Sequence, residues 1–216
     1  MITDETGNIL IIGGSSGIGL ETGKTLCETG RSVTLVARSF DNKTDQERQA
    51  VQSLRQTFGN ERCRLMQQDV AQLEELEAFS KKVKEVSGPI DGLVCCAGAQ
   101  KTLPLSMTKP GVLKELFTIN TFSAIELVRL FSKAGYYREG ASFVLLSSLA
   151  PHEASPGKAA YSASKAALEG FVCSASQELI TKGIRLNAVA PGIVKTAMSE
   201  EFLNKMSPAQ LQSLEA

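Results

Sequence analysis

The sequence lacks a net charge: 23 Lys and Arg offset 23 Asp and Glu over 216 residues. No overall electrostatic attraction draws it to nucleic acid or to an anionic membrane. It also lacks any apolar run near the roughly 18 residues needed to span a bilayer. Residues 1–8 (MITDETGN) are acidic and polar, where a secretion signal would be basic and then apolar. Cysteines at metal-ligand spacing are missing too. The five present (Cys27, Cys63, Cys95, Cys96, Cys173) are odd in number and scattered, which suits a reducing compartment better than a disulfide framework. Repeats, linkers and low-complexity stretches are absent as well. These absences argue against a nucleic-acid partner, a membrane partner and a bound metal, and they point to a cytoplasmic protein. With 43% hydrophobic residues there is ample material for a core, and the length predicts a single domain over residues 1–216.

What is present is an alternation. Residues 8–12 (NILII) form a strand signal that runs into Gly13 and Gly14, and residues 18–27 then carry apolar side chains at helical spacing. Gly30 is placed to end that helix in a left-handed cap, and a second strand follows at residues 32–37 (SVTLVA). Further strands are predicted at 63–68, 91–97, 142–147 and 185–190, with helices at 46–58, 73–86, from Pro110 onward, and 158–182. The helix from Pro110 gathers Leu113, Leu116, Phe117, Ala124, Leu127, Val128 and Phe131 on one face, with Asn120 as the odd polar member. Strands alternating with helices predict an α/β, doubly wound parallel sheet whose ligand crevice lies at the carboxyl ends of the strands. Residues 39–45, 100–109 and 149–157 follow strands on that side and are the expected substrate-facing loops.

Two patterns carry chemistry. The first turn reads Gly13-Gly14-Ser15-Ser16-Gly17-Ile18-Gly19, a Gly-x-x-x-Gly-x-Gly between a strand and a helix. Glycines there let the backbone turn sharply and approach a pyrophosphate, which free N–H groups and the positive end of the helix stabilise. A tight structural turn is the simpler alternative. The second pattern is Tyr161 and Lys165, four residues apart on a predicted helix and so on one face. A tyrosine at its reference pKa of about 10 is a poor acid–base catalyst at neutral pH, but an adjacent ammonium favours the phenolate. Such a pair can protonate a carbonyl oxygen or deprotonate an alcohol. Ser148 ends the preceding strand, where its hydroxyl can point into the crevice.

Taken together in this order, the residues from Asn8 to about Met198 resemble the short-chain dehydrogenase/reductase family. Gly13, Gly17 and Gly19 match its cofactor fingerprint, and Tyr161-Ser162-Ala163-Ser164-Lys165 matches its Tyr-x-x-x-Lys. Ser148 matches its catalytic serine and Asn120 its catalytic asparagine. Asp69-Val70 matches its adenine-contacting pair, and Pro191-Gly192-Ile193 with Thr196 matches the segment that holds the nicotinamide carboxamide. The resemblance implies a Rossmann-type sheet of about six strands in the order 3-2-1-4-5-6, with helices on both sides. It implies that Tyr161 is the general acid–base and that Ser148 hydrogen-bonds the substrate oxygen. Lys165 would bind the nicotinamide ribose and tune Tyr161, while Asn120 would help hold a proton-relay water beside Lys165. Ser15, Ser16, Ile18, Ala97 and Gly98 would join the cofactor lining. A homodimer or homotetramer acting on a small-molecule carbonyl substrate is the corresponding expectation for partners.

The pattern departs from the family at three places. Its Asn-Asn-Ala-Gly is Cys95-Cys96-Ala97-Gly98 here. Cysteine tolerates burial, so the backbone course is expected to survive. A redox switch between these neighbours is disfavoured, because adjacent strand residues point to opposite faces. Ile12 replaces a frequent threonine, at a loss of one hydrogen bond. The chain also stops at Ala216, inside residues 208–215, which read as helical, so the family's seventh strand is missing. The expectation is an incomplete sequence or a shortened member, with residues 185–190 an exposed edge.

At the end of the second strand, where an NAD-preferring enzyme carries a carboxylate for the adenosine ribose, stand Ala37 and Arg38. A guanidinium can clamp a 2′-phosphate that a carboxylate would repel, so NADP is the expected cofactor. Ser39 can add a hydroxyl. His152, the sole histidine, falls in the loop between Ser148 and Tyr161, where an incidental role is the commoner reading and substrate contact the alternative. Phe202, Leu203 and Met206 would make an apolar lid. The expected function is NADPH-dependent carbonyl reduction of an acyl thioester, a sugar or a small ketone. A catalytically idle NADP-binding regulator is the alternative.

Overall fold

In a computed structural model, which describes residues 7–153 and 156–196, the strand signals become β1 (Asn8–Ile12), β2 (Ser32–Ala37), β3 (Cys63–Gln67), β4 (Ile90–Cys95), β5 (Tyr137–Leu146) and β6 (Arg185–Val189). They form one parallel sheet in the order β3-β2-β1-β4-β5-β6. The helices are α1 (Gly17–Glu28), α2 (Asp45–Phe58), α3 (Leu76–Ser87), α4 (Pro110–Phe117), α5 (Ser123–Phe131) and α6 (Ala159–Ile180). Because side chains alternate along a strand, β1 serves two cores at once. Leu10 and Ile12 pack with Phe79 and Val83 of α3, Leu127 and Phe131 of α5, and Leu168 of α6. Ile11 packs on the other face with Leu20 and Cys27 of α1 and Val51 and Leu54 of α2. The crossovers leave β1 in opposite directions along the sheet, to β2 and, by way of β3, to β4, and this opens the crevice above its carboxyl end.

Local chemistry fixes the boundaries. Gly30, with φ +91°, follows α1 as expected, and its N–H and that of Arg31 bond back to Cys27 and Leu26. Thr44 and Glu47 cap α2 reciprocally: Glu47 N–H donates to the Thr44 hydroxyl at 3.2 Å, and Thr44 N–H donates to Glu47 Oε2 at 3.0 Å. α1 starts at Ser16 with no side-chain cap, which leaves its first-turn N–H groups for another acceptor.

Three expectations need correction. β5 begins five residues earlier than its apolar run, because Tyr137 pairs with Ile90 across an irregular register before the core segment starts. Residues 73–75 are a 3₁₀ turn leading into α3 rather than its first turn. The helix from Pro110 is interrupted: a π turn over Thr118–Phe122 separates α4 from α5, and Leu113 of the expected inner face is exposed. The widened turn lets two neighbouring residues, Asn120 and Thr121, both point inward and be buried. At the other end of the chain β6 pairs with β5 and lies last in the described sheet, with Leu186 buried and Val189 exposed. Among the described residues no helix is long and apolar enough to cross a membrane, and no group of His, Cys, Asp and Glu could hold a metal ion.

Candidate active site

The glycine turn folds back under β4. Gly13 has φ +82°, and a Cβ on it would lie 2.6 Å from the backbone nitrogen of Ala97, so no side chain fits there. A Cβ on Gly19 would lie 2.3 Å from the carbonyl oxygen of Gly13. Gly13 and Gly14 both donate their N–H to the Val36 carbonyl, at 2.8 and 2.9 Å. This pins the turn to β2 and aims the uncapped start of α1 into a groove of about 630 Å³. Ligand sites typically enclose roughly 300–1,000 Å³, so the groove has room for a nucleotide half.

All the expected cofactor residues lie along this groove or the cavity that adjoins it. Gly13, Ser15, Ser16, Gly17, Ile18 and Gly19 line its floor, and Arg38 with Ser39 closes one end. Asp69, Val70, Ala97 and Gly98 form the wall opposite α1, and Thr196 crosses above, where a Cβ on Gly17 would approach its methyl to 3.2 Å. Pro191, Gly192 and Ile193 line the adjoining cavity together with Ser148, Tyr161 and Lys165. Ile18, Cys96, Gly98, Ala99, Leu146 and Thr196 are shared by both spaces, which are therefore continuous. The set has the features a dinucleotide requires: a backbone cradle, helix-terminal N–H groups, and a cation at the far end of β2.

Ser148 and Lys165 are held by their neighbours. Ser148 Oγ accepts the Ala150 N–H at 3.1 Å, so its own proton remains to be donated into the cavity. Lys165 is buried, and its Nζ donates to the Leu146 carbonyl at 2.6 Å, leaving two donors. Burial lowers its pKa to about 8, an effect the nearby thiols Cys96 and Cys95 partly oppose. Burial likewise pushes the Cys96 thiol up to about 11 and Cys95 higher still, so both are neutral at pH 7. Cys95 belongs to the core while Cys96 lines the groove, the opposite-face arrangement expected of neighbours at a strand end.

Asn120 lies deeper than the cavity. Its Nδ2 donates to the Ala99 carbonyl and to Ser164 Oγ, each at 2.9 Å, and its Oδ1 accepts the Ala99 N–H at 2.7 Å. A Cβ on Gly98 would stand 3.3 Å from Asn120 Oδ1 and 3.5 Å from Lys165 Nζ, so that glycine keeps the space between them open. Side chains not singled out from the sequence also reach the site: Asn42 and Lys43 beside Arg38, and Gln100, Glu153 and Lys158 around the catalytic cavity. The loops were marked as crevice-facing, and within the 39–45 loop a second cation near Arg38 was the available signal. His152 has Glu169 as its partner, at 3.0 Å. The expected lid at Phe202, Leu203 and Met206 lies outside the described residues.

A parallel sheet with this strand order, a glycine turn at its switch point and Ser148, Tyr161 and Lys165 in one continuous crevice define a dinucleotide-type oxidoreductase. The family can be stated more narrowly. Residues 7–207 match the family model of the short chain dehydrogenases, and the chain belongs to that family. It is 30% identical over 202 residues to carbonyl reductase family member 4 of Xenopus laevis, spanning 92% of this chain and 81% of that protein. It is 28% identical over 191 residues to acetoacetyl-CoA reductase of a Synechocystis species, spanning 88% of this chain and 73% of that one. Among solved structures, a dehydrogenase/reductase from Sinorhizobium meliloti 1021 superimposes with a TM-score of 0.78 at 28% identity, over 89% of this chain and 74% of that chain.

Proposed function

We propose that the protein is an NADP-dependent reductase that converts a carbonyl compound to the alcohol, with Tyr161 as proton donor. The observation that carries the reading is the placement of Tyr161, Ser148 and Lys165 around one cavity continuous with the glycine-turn groove. Similarity to a carbonyl reductase and an acetoacetyl-CoA reductase supports the carbonyl as the substrate group. Arg38 and Lys43 at one end of the groove, with Ala37 where a carboxylate would disfavour a 2′-phosphate, support NADP over NAD.

A nicotinamide held along the glycine-turn groove and the adjoining cavity would supply the hydride. The chain's own residues handle the charge that hydride transfer leaves on oxygen. Ser148, whose Oγ already accepts one bond, keeps its proton and donates a hydrogen bond to the substrate oxygen, which orients it. Tyr161 delivers the proton that completes the alcohol, since a serine hydroxyl is too weak an acid to do so. Lys165 has two N–H donors left that would hold the nicotinamide ribose, and its ammonium, one turn from Tyr161 on the same face of α6, would favour the phenolate. Asn120 acts from behind, fixing the backbone of Ala99 where it borders both spaces.

The test is a panel of aldehydes, ketones and acyl thioesters followed through NADPH absorbance, repeated with Tyr161→Phe. That change keeps the ring and removes the acid; turnover should fall about 10²-fold or more while NADPH affinity changes little. A Tyr161→Phe protein that kept most of its turnover would refute the mechanism. A wild-type protein that bound NADPH yet reduced nothing on the panel would favour the idle regulator instead.

A further inference from the structure

Outside the groups assigned to the reaction, one cluster of polar side chains stands directly behind the catalytic cavity. Glu169 follows Lys165 by one turn on α6, so that Tyr161, Lys165 and Glu169 recur at intervals of four. Both oxygens of its carboxylate are engaged. Oε1 accepts from the hydroxyl of Ser147 at 2.7 Å, and Oε2 faces Nε2 of His152 at 3.0 Å. Ser147 is 3% exposed, and its Oγ also stands 3.3 Å from the Lys165 carbonyl. The order of groups is hydroxyl, carboxylate, imidazole. Ser147 therefore has no imidazole to take its proton, and the cluster is not a nucleophile with its base.

What the cluster joins is more telling. Ser148, Leu149, Ala150 and Glu153 form one wall of the catalytic cavity. The near end of that wall is tied to its surroundings: Leu149 N–H donates to the Pro191 carbonyl at 3.0 Å, and Ser162 Oγ donates to the Ala150 carbonyl at 3.0 Å. Its far end is a turn in which the His152 and Glu153 N–H groups bond back to Leu149 O, at 2.8 and 3.1 Å. His152 fastens that turn to α6, the helix that carries Tyr161 and Lys165. The imidazole is 59% exposed and the carboxylate 27%, so the contact is reachable by solvent and is made at the cavity's outer edge.

We propose that Glu169 and His152 are positioning residues for carbonyl reduction: the carboxylate bridges the end of β5 to the outer wall and holds Ser148 in register with Tyr161 over one substrate oxygen. The inference rests on the reductase reading given above. Two hydrogen-bond donors from different elements must converge on a single atom, and a displacement of about 1 Å between them can cost on the order of 10²-fold in rate. Loosening the bridge should therefore lower kcat more than it alters cofactor binding, since the glycine turn lies on the other side of β4.

The experiment uses the full chain with His152→Ala, Glu169→Ala, Glu169→Gln and the double alanine variant. Three quantities are read: kcat and KM for the best carbonyl of the panel, NADPH affinity by fluorescence titration, and amide hydrogen exchange over residues 149–153. Both single alanine variants are expected to lose roughly 10-fold or more in kcat, with NADPH affinity within about twofold. Both should exchange faster at His152 and Glu153 but not at Phe143 or Leu145 of β5. The double variant should be no worse than Glu169→Ala alone, because one contact is removed twice. Glu169→Gln keeps an acceptor for Ser147 and an amide for the imidazole, and should recover most of the loss. Unchanged kcat in His152→Ala, additive losses, or a Gln variant as impaired as the Ala variant would overturn the proposal. The exchange arm needs no turnover: if protection over 149–153 is the same in wild type and both alanine variants, the bridge itself is refuted, whether or not the protein reduces any carbonyl.

Discussion

Replacing Asn120 by alanine should destabilise the protein by about 2–4 kcal/mol, and the structure shows where that figure originates. Three hydrogen bonds vanish with the amide, two to the backbone of Ala99 and one to Ser164 Oγ. A net contribution of about 0.5–1.5 kcal/mol each gives roughly 1.5–4.5 kcal/mol. The upper end applies if the abandoned groups stay dry. Ala99 is half-buried and borders both spaces of the site, so water can reach its N–H and carbonyl and moderate the cost. Ser164 is fully buried but keeps the bond it donates to the Tyr161 carbonyl, at 2.7 Å, and loses only an acceptor contact. The neighbouring change Thr121→Val preserves shape and removes one bond, from Thr121 Oγ1 to the Ser164 carbonyl at 2.7 Å, for about 1 kcal/mol. Both bonds end on Ser164, so the two changes should couple rather than add. Urea unfolding at constant m-value measures each cost, and the loss in Asn120→Ala corresponds to a Tm lower by roughly 4–16 °C. An Asn120→Ala protein within about 0.5 kcal/mol of wild type would refute the reasoning, since values that small are typical of surface changes that touch nothing.

Cofactor choice should rest on the end of β2: a preference for NADPH over NADH of about 10- to 150-fold is expected from charge-assisted contacts worth about 1.5–3 kcal/mol. Ala37→Asp with Arg38→Val should invert it, whereas equal affinities in the unaltered protein would refute the assignment. Lys165 makes a pH prediction. Burial holds its pKa at about 8, below the ordinary lysine value of 10.5, so the folded chain binds fewer protons than the unfolded one between those pH values, and stability should rise with pH across that window. Over the same window kcat/KM for NADPH should fall as the ammonium is lost; Lys165→Arg should flatten that limb, and a wild-type profile level to pH 9.5 would sink the idea.

The parallel sheet and its alternating helices were legible because strands buried on both faces and the glycine turn leave local marks, NILII before Gly13 and SVTLVA before Arg38, while the strand order came from the family resemblance. The π turn left none. Thr118-Ile119-Asn120-Thr121-Phe122 contains no glycine or proline, and its irregular step follows from partners 21 to 44 residues away, Ala99 and Ser164. A helical wheel could show that Asn120 was an odd polar member of an apolar face, yet not that Thr121 would turn inward beside it. The same distance hid the role of His152. In sequence it is a lone loop histidine, and its partner lies 17 residues on, in a helix whose face becomes clear once Tyr161 and Lys165 have been placed.

The helix α6 shows why so much of this site depends on a single element. Its positions 161, 165 and 169 recur every fourth residue, so one rigid rod carries the phenol, the ammonium and the bridging carboxylate. Ser164 on the same helix accepts from Asn120 and donates to the Tyr161 carbonyl, which couples the helix to the backbone of Ala99. The extended chain just past β5 supplies the matching pair by alternation: Ser147, at the cavity's border, bonds Glu169, and Ser148, one residue on, opens to the cavity. Two adjacent serines thus do different work because a strand has period two, while three residues spaced by four share one face because a helix has period 3.6. Moving either serine by one register would exchange their roles, placing the hydroxyl meant for substrate against a carboxylate and the structural one in the open. A single alanine inserted between Ser147 and Ser148 leaves Ser147 with Glu169 but puts a methyl at the cavity position, and should abolish turnover while leaving the glycine-turn groove and its affinity for NADPH intact, which fluorescence titration beside the kinetic assay would show.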